Sequence, residues 1–250
     1  MLMSMATTLS GQTILNGDLN HNGVIDISDV TALVNVTLGK SQAEVLYVAD
    51  PHEYVDLGLP SGTLWATCNI GADSPEDYGD YFAWGETEGY NSGKTNFAWS
   101  TYKYCNGSLN TLTKYCTSSS YGTVDNKTEL ELEDDAAYVN WGANWRMPSL
   151  AQFEELINSS YTTTSWTAQK GVYGRKITSK SNGNSIFLPA AGYRNDTSLY
   201  DAGSFGLYWS RSLSTSRPYY AYNLYFGSGY VSWNNDGRYY GLSVRPVRNQ

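Results

Sequence analysis

Between Tyr208 and Val247 the chain reads YWSRSLSTSRPYYAYNLYFGSGYVSWNNDGRYYGLSVRPV, and no other stretch constrains the fold as tightly. Tyr219, Tyr220, Tyr222, Tyr225, Tyr230, Tyr239 and Tyr240 crowd together among Ser, Asn, Asp, Gly and Arg, with no Lys, Glu, Gln or Met. Tyrosine favours strands, so the segment reads as a Tyr-rich part of a β-containing domain. The same palette is that of an antibody paratope, in which rigid amphipathic tyrosines give contact area at low entropic cost and small polar residues adapt. Composition alone leaves both readings open.

At 250 residues the chain holds one or two domains. A domain of this size buries roughly 70% of its unfolded surface, so no disulfide is needed to make a core. Charged residues are only 16% of the chain while Gly, Ser, Thr, Asn and Tyr abound, which favours a loop-rich, mostly β or α+β fold over a helical bundle. The net charge of −8 argues against nucleic acid as a partner. Beyond Tyr200 only Asp201 and Asp236 are acidic, against Arg211, Arg217, Arg238, Arg245 and Arg248. This mildly basic end suits a sugar, peptide or protein surface of some negative character. The three cysteines, Cys68, Cys105 and Cys116, are a poor disulfide framework and are expected as thiols, although Cys105 and Cys116 could close a short loop. The N-terminal MLMSMATTLSGQ lacks the pattern of a signal peptide. No stretch approaches the roughly 20 apolar residues of a membrane span.

Gly17–Lys40 reads GDLNHNGVIDISDVTALVNVTLGK. Asp18, Asn20 and Asn22 fall at positions 1, 3 and 5 of a calcium loop, Gly23 supplies the turn, Val24 offers a carbonyl, and Asp26 and Asp29 close the set. Hard oxygens at this spacing on a flexible loop suit calcium of modest affinity. Ser28 and Asp29 then start a helix carrying Val30, Leu33, Val34 and Leu38. The segment resembles one half of a dockerin type I module; a second half is absent from the sequence. Residues 1–50 are expected to form this N-terminal segment, and residues 51–250 a second domain.

In that domain, two short β runs flank Pro60-Ser61-Gly62. Residues 89–138 read as a polar loop inserted on a compact scaffold. Ser149 caps a helix whose apolar face is Leu150, Phe153, Leu156 and Ile157. Strands are expected at 174–179, 185–189, 208–212, 221–226, 229–233 and 242–247.

Five phrases, VDLGLPSGTLWATCNIG, YGDYFAWGE, NWRMPSLAQFEELI, FLPAAGYR, and GLYWSRS running into YYGLSVRPVR, resemble the Fibrobacter succinogenes major paralogous domain family. That resemblance covers about Tyr54 to Arg248. It implies an α+β fold, the formylglycine-generating-enzyme-like variant of the C-type lectin fold, with a ligand-binding face on its C-terminal strands. The last segment also resembles the variable region of a diversity-generating retroelement protein, in which template adenines are randomised on copying.

A skeleton of Tyr208, Trp209, Ser212, Leu213, Pro218, Leu224, Phe226, Val231, Trp233, Arg238 and Ser243–Val247 is expected to stay fixed. Arg211, Ser214, Ser216, Arg217, Tyr219, Tyr220, Tyr225 and Gly227 are expected to point outward as a ligand-binding surface. Tyr230, Ser232, Asn234, Asn235, Asp236, Tyr239, Tyr240 and Leu242 complete it. Formylglycine-generating enzymes use a cysteine pair near the end of the domain, and nothing here follows Cys116. The only histidines are His21 and His52, so a Ser/His/Asp or Cys/His site is not expected. The acidic run Glu129, Glu131, Glu133, Asp134 and Asp135 reads as a solvated face. Trp233–Asp236 lacks the spacing of a lectin calcium motif.

The expected function is non-enzymatic binding of a host or cell-surface protein or glycan, on a phage tail or bacterial surface. The alternatives are an enzyme of the formylglycine-generating superfamily or a polysaccharide-active accessory protein, and a structural module of a dockerin-bearing assembly. The sequence leaves the oligomeric state open.

Overall fold

The computed structural model describes residues 50–248 and the backbone of 6–9 and 12–15. The expected calcium ligands Asp18, Asn20, Asn22, Val24, Asp26 and Asp29, and the helix after them, lie outside the described residues. The chain divides into two units, Met1–Pro51 and His52–Gln250. In the first, β1 (Ala6–Leu9) and β2 (Gln12–Leu15) pair antiparallel.

The second unit consists mostly of antiparallel sheets with few helices. Around the turn at Gly62, β3 (Tyr54–Asp56) pairs with β4 (Leu64–Ala66) as the Pro-Ser-Gly signal predicts. Two helices follow, α1 (Ala136–Trp141) and α2 (Leu150–Leu156). Strands β5 (Thr162–Gln169), β6 (Val172–Ser179) and β7 (Ser185–Pro189) form a meander. A short hairpin, β8 (Tyr193–Asn195) and β9 (Ser198–Tyr200), leads into the sheet β10 (Gly206–Leu213), β11 (Tyr220–Phe226) and β12 (Val231–Gly237). The chain returns as β13 (Val247–Arg248) beside β4.

Local chemistry explains the helices. Ser149 Oγ accepts from Gln152 N at 3.2 Å while Gln152 Oε1 accepts from Ser149 N at 2.9 Å, a capping box directly after Pro148. The buried face of α2 is Phe153 and Leu156, with Phe153 against Trp65. Asp135 caps α1 by accepting from Ala137 N and Tyr138 N, and also accepts from Met147 N and Arg146 Nε.

Strand pleating places the Tyr-rich sheet as a wall between two cores. From β10, Leu207 and Trp209 enter one core with Trp84, Phe97 and Tyr115, while Tyr208 enters the other with Trp65, Phe153 and Ile177. From β11, Ala221 faces the first core and Leu224 and Phe226 the second. Burying an aliphatic or aromatic side chain of this size contributes about 1.5–3 kcal/mol, so the skeleton positions of these strands are fixed from both sides.

Three expectations are corrected. Residues 89–138 are not an appended loop: Phe97, Tyr102, Tyr104, Leu112, Tyr115 and Leu130 from this irregular segment are buried in the core, and α1 begins within it. Residues 242–247 alternate like a strand, yet Pro246 interrupts them. They bridge one neighbour after another, Phe82 to Leu242, Tyr208 to Ser243 and Arg146 to Val247, and only Val247–Arg248 is a strand. The strand expected from Gly229 starts at Val231, because Gly227 N donates to Tyr230 O at 3.1 Å and closes the hairpin turn first. It continues through the polar Asn234–Gly237, which an edge strand tolerates.

Candidate functional site

Two buried arginines hold the C-terminal segment. Arg238 Nε donates to Tyr102 Oη at 2.8 Å, and its terminal nitrogens donate to the carbonyls of Tyr115 (3.0 Å), Pro218 (2.8 Å) and Lys114 (3.0 Å). Its guanidinium lies over Trp84 and Tyr102. Arg245 Nε donates to Asn69 Oδ1 at 2.9 Å, and its other nitrogens to the carbonyls of Ala66, Thr67 and Phe187. Among the described residues neither takes a carboxylate partner. Burial pushes the Arg245 pKa below the ordinary arginine value. A third, Arg175, grips the turn between β11 and β12 by donating to the carbonyls of Gly227 and Tyr230.

Most of the positions assigned to the surface do reach it. Ser216, Arg217, Tyr230, Ser232 and Asn234 are exposed; Arg211, Tyr219, Tyr220, Tyr225, Asn235, Asp236, Tyr239 and Tyr240 are half-buried. Three assignments are corrected. Ser214 is 2% exposed, because its backbone anchors the turn into β11 through Tyr220 O and Arg217 N. Gly227 is buried, and a Cβ there would meet Phe205 at 2.9 Å. Leu242 is fully buried beside Phe82. One skeleton residue is also corrected: Trp233 is 44% exposed and meets Tyr222 edge-on. It sits opposite Leu224, as its alternation requires, but on the edge strand, where its ring lies largely outside the core.

The tyrosines form linked groups. Tyr219 and Tyr220 have ring centroids 4.5 Å apart, and Tyr121 packs on Tyr219. Tyr239 and Tyr240 are 4.4 Å apart, extended by Trp99 at 4.9 Å and by Tyr193 at 5.5 Å, with Tyr200 stacked beyond. Tyr225 lies between Phe205 and Tyr230. Tyr222 and Trp233 stand apart, on the opposite face of the sheet from Tyr225. Burial raises the phenol pKa of Tyr225, Tyr239 and Tyr193. Tyr220 is among the groups near enough to Tyr239 to help raise its phenol pKa. Trp99, Tyr121, Tyr193, Tyr200 and Phe205 come from outside the Tyr-rich stretch, and only the GYR phrase around Tyr193 marks any of them in the sequence.

The acidic run is a solvated face only in part: Glu129 and Glu133 are exposed and Glu131 is half-buried, but its last two carboxylates are not at the surface. Asp134 and Asp135 are 1% and 0% exposed. Asp134 accepts from Tyr104 and Tyr115 and pairs with Lys114 Nζ at 2.6 Å. Burial works against its charge, but these partners outweigh it and hold the carboxyl below its ordinary range. Glu131, Glu133 and Asp134 are near enough together to hold a metal ion. Lys114 Nζ already lies 2.6 Å from Glu131 and Asp134, so the group carries its own cation.

The cysteines described, Cys68, Cys105 and Cys116, are free thiols. His52, the one histidine among the described residues, stacks on Trp141 at 3.9 Å. A polar cavity of about 450 Å³ lies between Arg146, Arg211, Glu129 and Gln152, where Arg211 is tied to Glu129 at 3.0 Å. Among the described residues no helix is long and apolar enough to cross a membrane. Comparison with protein-family models, with curated proteins and with solved structures gives no match.

Proposed function

We propose that the second unit is a C-type-lectin-like binding module of the formylglycine-generating-enzyme-like kind, and that its Tyr-rich C-terminal sheet is the binding face. In this reading the protein is a non-enzymatic receptor-binding or adhesion protein of a phage tail or bacterial surface. Its displayed positions are varied by a diversity-generating retroelement. The observation that carries it is the separation of roles within one segment: Trp209, Leu224, Phe226, Arg238 and Arg245 are buried and fixed, while Tyr219, Tyr225, Tyr230 and Tyr239 remain at the surface in contact with further aromatic rings. Exposed aromatic clusters of this extent mark interaction sites, and single rings in such patches contribute about 2 kcal/mol or more as hot spots.

The test replaces Tyr219, Tyr225, Tyr230 and Tyr239 together by Ala and compares binding to arrayed bacterial surface proteins and glycans. The expected result is loss of every specific signal with the thermal transition of the domain retained; an unchanged binding profile overturns the reading. A near-repeat of the 208–247 coding sequence beside a reverse transcriptase, differing at adenines, would support the diversification part.

A further inference from the structure

We infer that the tyrosine face takes an organic cation, the ammonium of a lysine or the guanidinium of an arginine presented by a protein partner, against the carboxylate of Asp236. The inference rests on the reading of this sheet as the binding face and supplies its chemistry. Asp236 on β12 lies opposite Ala221, on the same sheet face as Asn223 and Tyr225. Its one side-chain partner among the described residues is Asn223, whose Nδ2 donates at 2.9 Å. No lysine or arginine pairs with it among the described residues. Asn223 is fully buried, and its Oδ1 has no partner. A half-buried carboxylate and an orphaned amide oxygen therefore stand side by side, both requiring donors.

The surroundings carry the same sign. Asp236 and Asp201 both lie near enough to Tyr193 and Tyr225 to raise their phenol pKa, and Asp196 acts likewise on Tyr239. None of these three aspartates is in an ion pair among the described residues. Most of the arginines that give this end of the sequence its basic look are spent elsewhere. Arg238 and Arg245 are buried on carbonyls, and Arg211 holds Glu129. Arg217 is exposed, but on the turn between β10 and β11 and not in an ion pair with these aspartates. An anionic sugar would thus meet carboxylates that stand in no ion pair among the described residues. A neutral ligand would leave the partly desolvated Asp236 uncompensated. An ammonium brings three donors and a guanidinium five, enough for the accessible side of Asp236. Tyrosine faces attract the same cations.

The test uses the full ¹⁵N-labelled chain and three monomeric probes: Nα-acetyl-lysine methylamide, Nα-acetyl-arginine methylamide and the neutral Nα-acetyl-norleucine methylamide. The two cationic probes are expected to shift the side-chain amide of Asn223 and the backbone amides of Asn234 and Asp236, and the norleucine probe is not. Asp236→Asn should weaken the cationic probes by about tenfold or more, tenfold being the lower end for breaking a close charge pair. Glu88→Gln, the same charge change at an exposed site elsewhere, should leave them unchanged. Asp201→Asn, at an exposed position, gives a second reading of the field should Asp236→Asn fail to fold, and should weaken the cationic probes by about twofold. If norleucine binds as well as lysine and the aspartate variants change nothing, the cation assignment falls while the binding face stands. If no probe moves these resonances, the assignment falls too, and the four-tyrosine variant judges the face separately.

Discussion

Arg238 offers the sharpest test of how the binding face is held. Replacing it by Met keeps much of the stem volume and removes the guanidinium. Four donations are lost: one to Tyr102 Oη and three to the carbonyls of Lys114, Tyr115 and Pro218. Hydrogen bonds to a charged group contribute about 1.5–3 kcal/mol each, giving on the order of 6–12 kcal/mol gross. Removing the guanidinium also relieves the cost of burying it, which is several kcal/mol in a folded protein. The net expected loss is therefore about 4 kcal/mol. For a unit of about 200 residues each kcal/mol corresponds to roughly 2–4 °C in Tm, so Arg238→Met should melt roughly 8–16 °C lower by calorimetry. Tyr230→Ala, at a 45% exposed position in the same segment, should stay within about 0.5 kcal/mol of the parent. A loss below about 1 kcal/mol for Arg238→Met would mean that desolvating the guanidinium cancels all that its acceptors return, and the idea of arginine-held strands would be refuted.

Arg175→Met should loosen the turn at Gly227–Tyr230 by taking the guanidinium from the Gly227 carbonyl and leaving the Tyr230 carbonyl with Gly227 N alone, and amide exchange of Tyr230 and Val231 should quicken by about tenfold or more; unchanged exchange would show the turn to be self-sufficient. Asp134, whose folded pKa lies below its unfolded value, contributes stability that is present above the ordinary carboxylate range and is lost as pH falls through the depressed folded value. Urea midpoints measured from pH 7 to pH 2 should therefore drop less steeply in Asp134→Asn than in the parent, and parallel profiles would remove Asp134 from the acid response. Lys114→Met, by leaving the buried Asp134 charge short of its nearer cation, should cost about 3 kcal/mol in chemical denaturation, and a neutral effect would assign the pairing to Lys103, 3.3 Å away, with Tyr104 and Tyr115.

Much of the second unit is legible where one local rule dominates. Ser149 caps its helix because a hydroxyl after proline and three residues before glutamine leaves the backbone few better choices. The strands at 185–189 and 221–226 follow from aromatic and β-branched runs closed by turn residues. Legibility fails where partners are distant in sequence. Nothing near Asp134 announces Tyr104, Tyr115 and Lys114, so a buried knot reads as a charged surface. Trp233 keeps the alternation of a core residue, but only the strand order shows that its strand is the sheet's edge. Residues 162–169, TTTSWTAQ, are absent from the strands expected from sequence because they have little apolar content, and become β5 by pairing with β6. Tyrosines mark the surface positions of the C-terminal sheet, but the charge of that sheet is hidden: arginines counted along the chain are not arginines shown to solvent.

The grips of Arg238 and Arg245 close on carbonyl, amide and phenol oxygens, none of which takes up a proton between neutral and mildly acidic conditions. Souring of the medium, which unties knots built on carboxylates, finds nothing to protonate at these two fastenings. The platform beneath the rings should consequently keep its shape in acidified surroundings, even where Asp236, whose carboxyl burial holds above its ordinary range, takes up a proton.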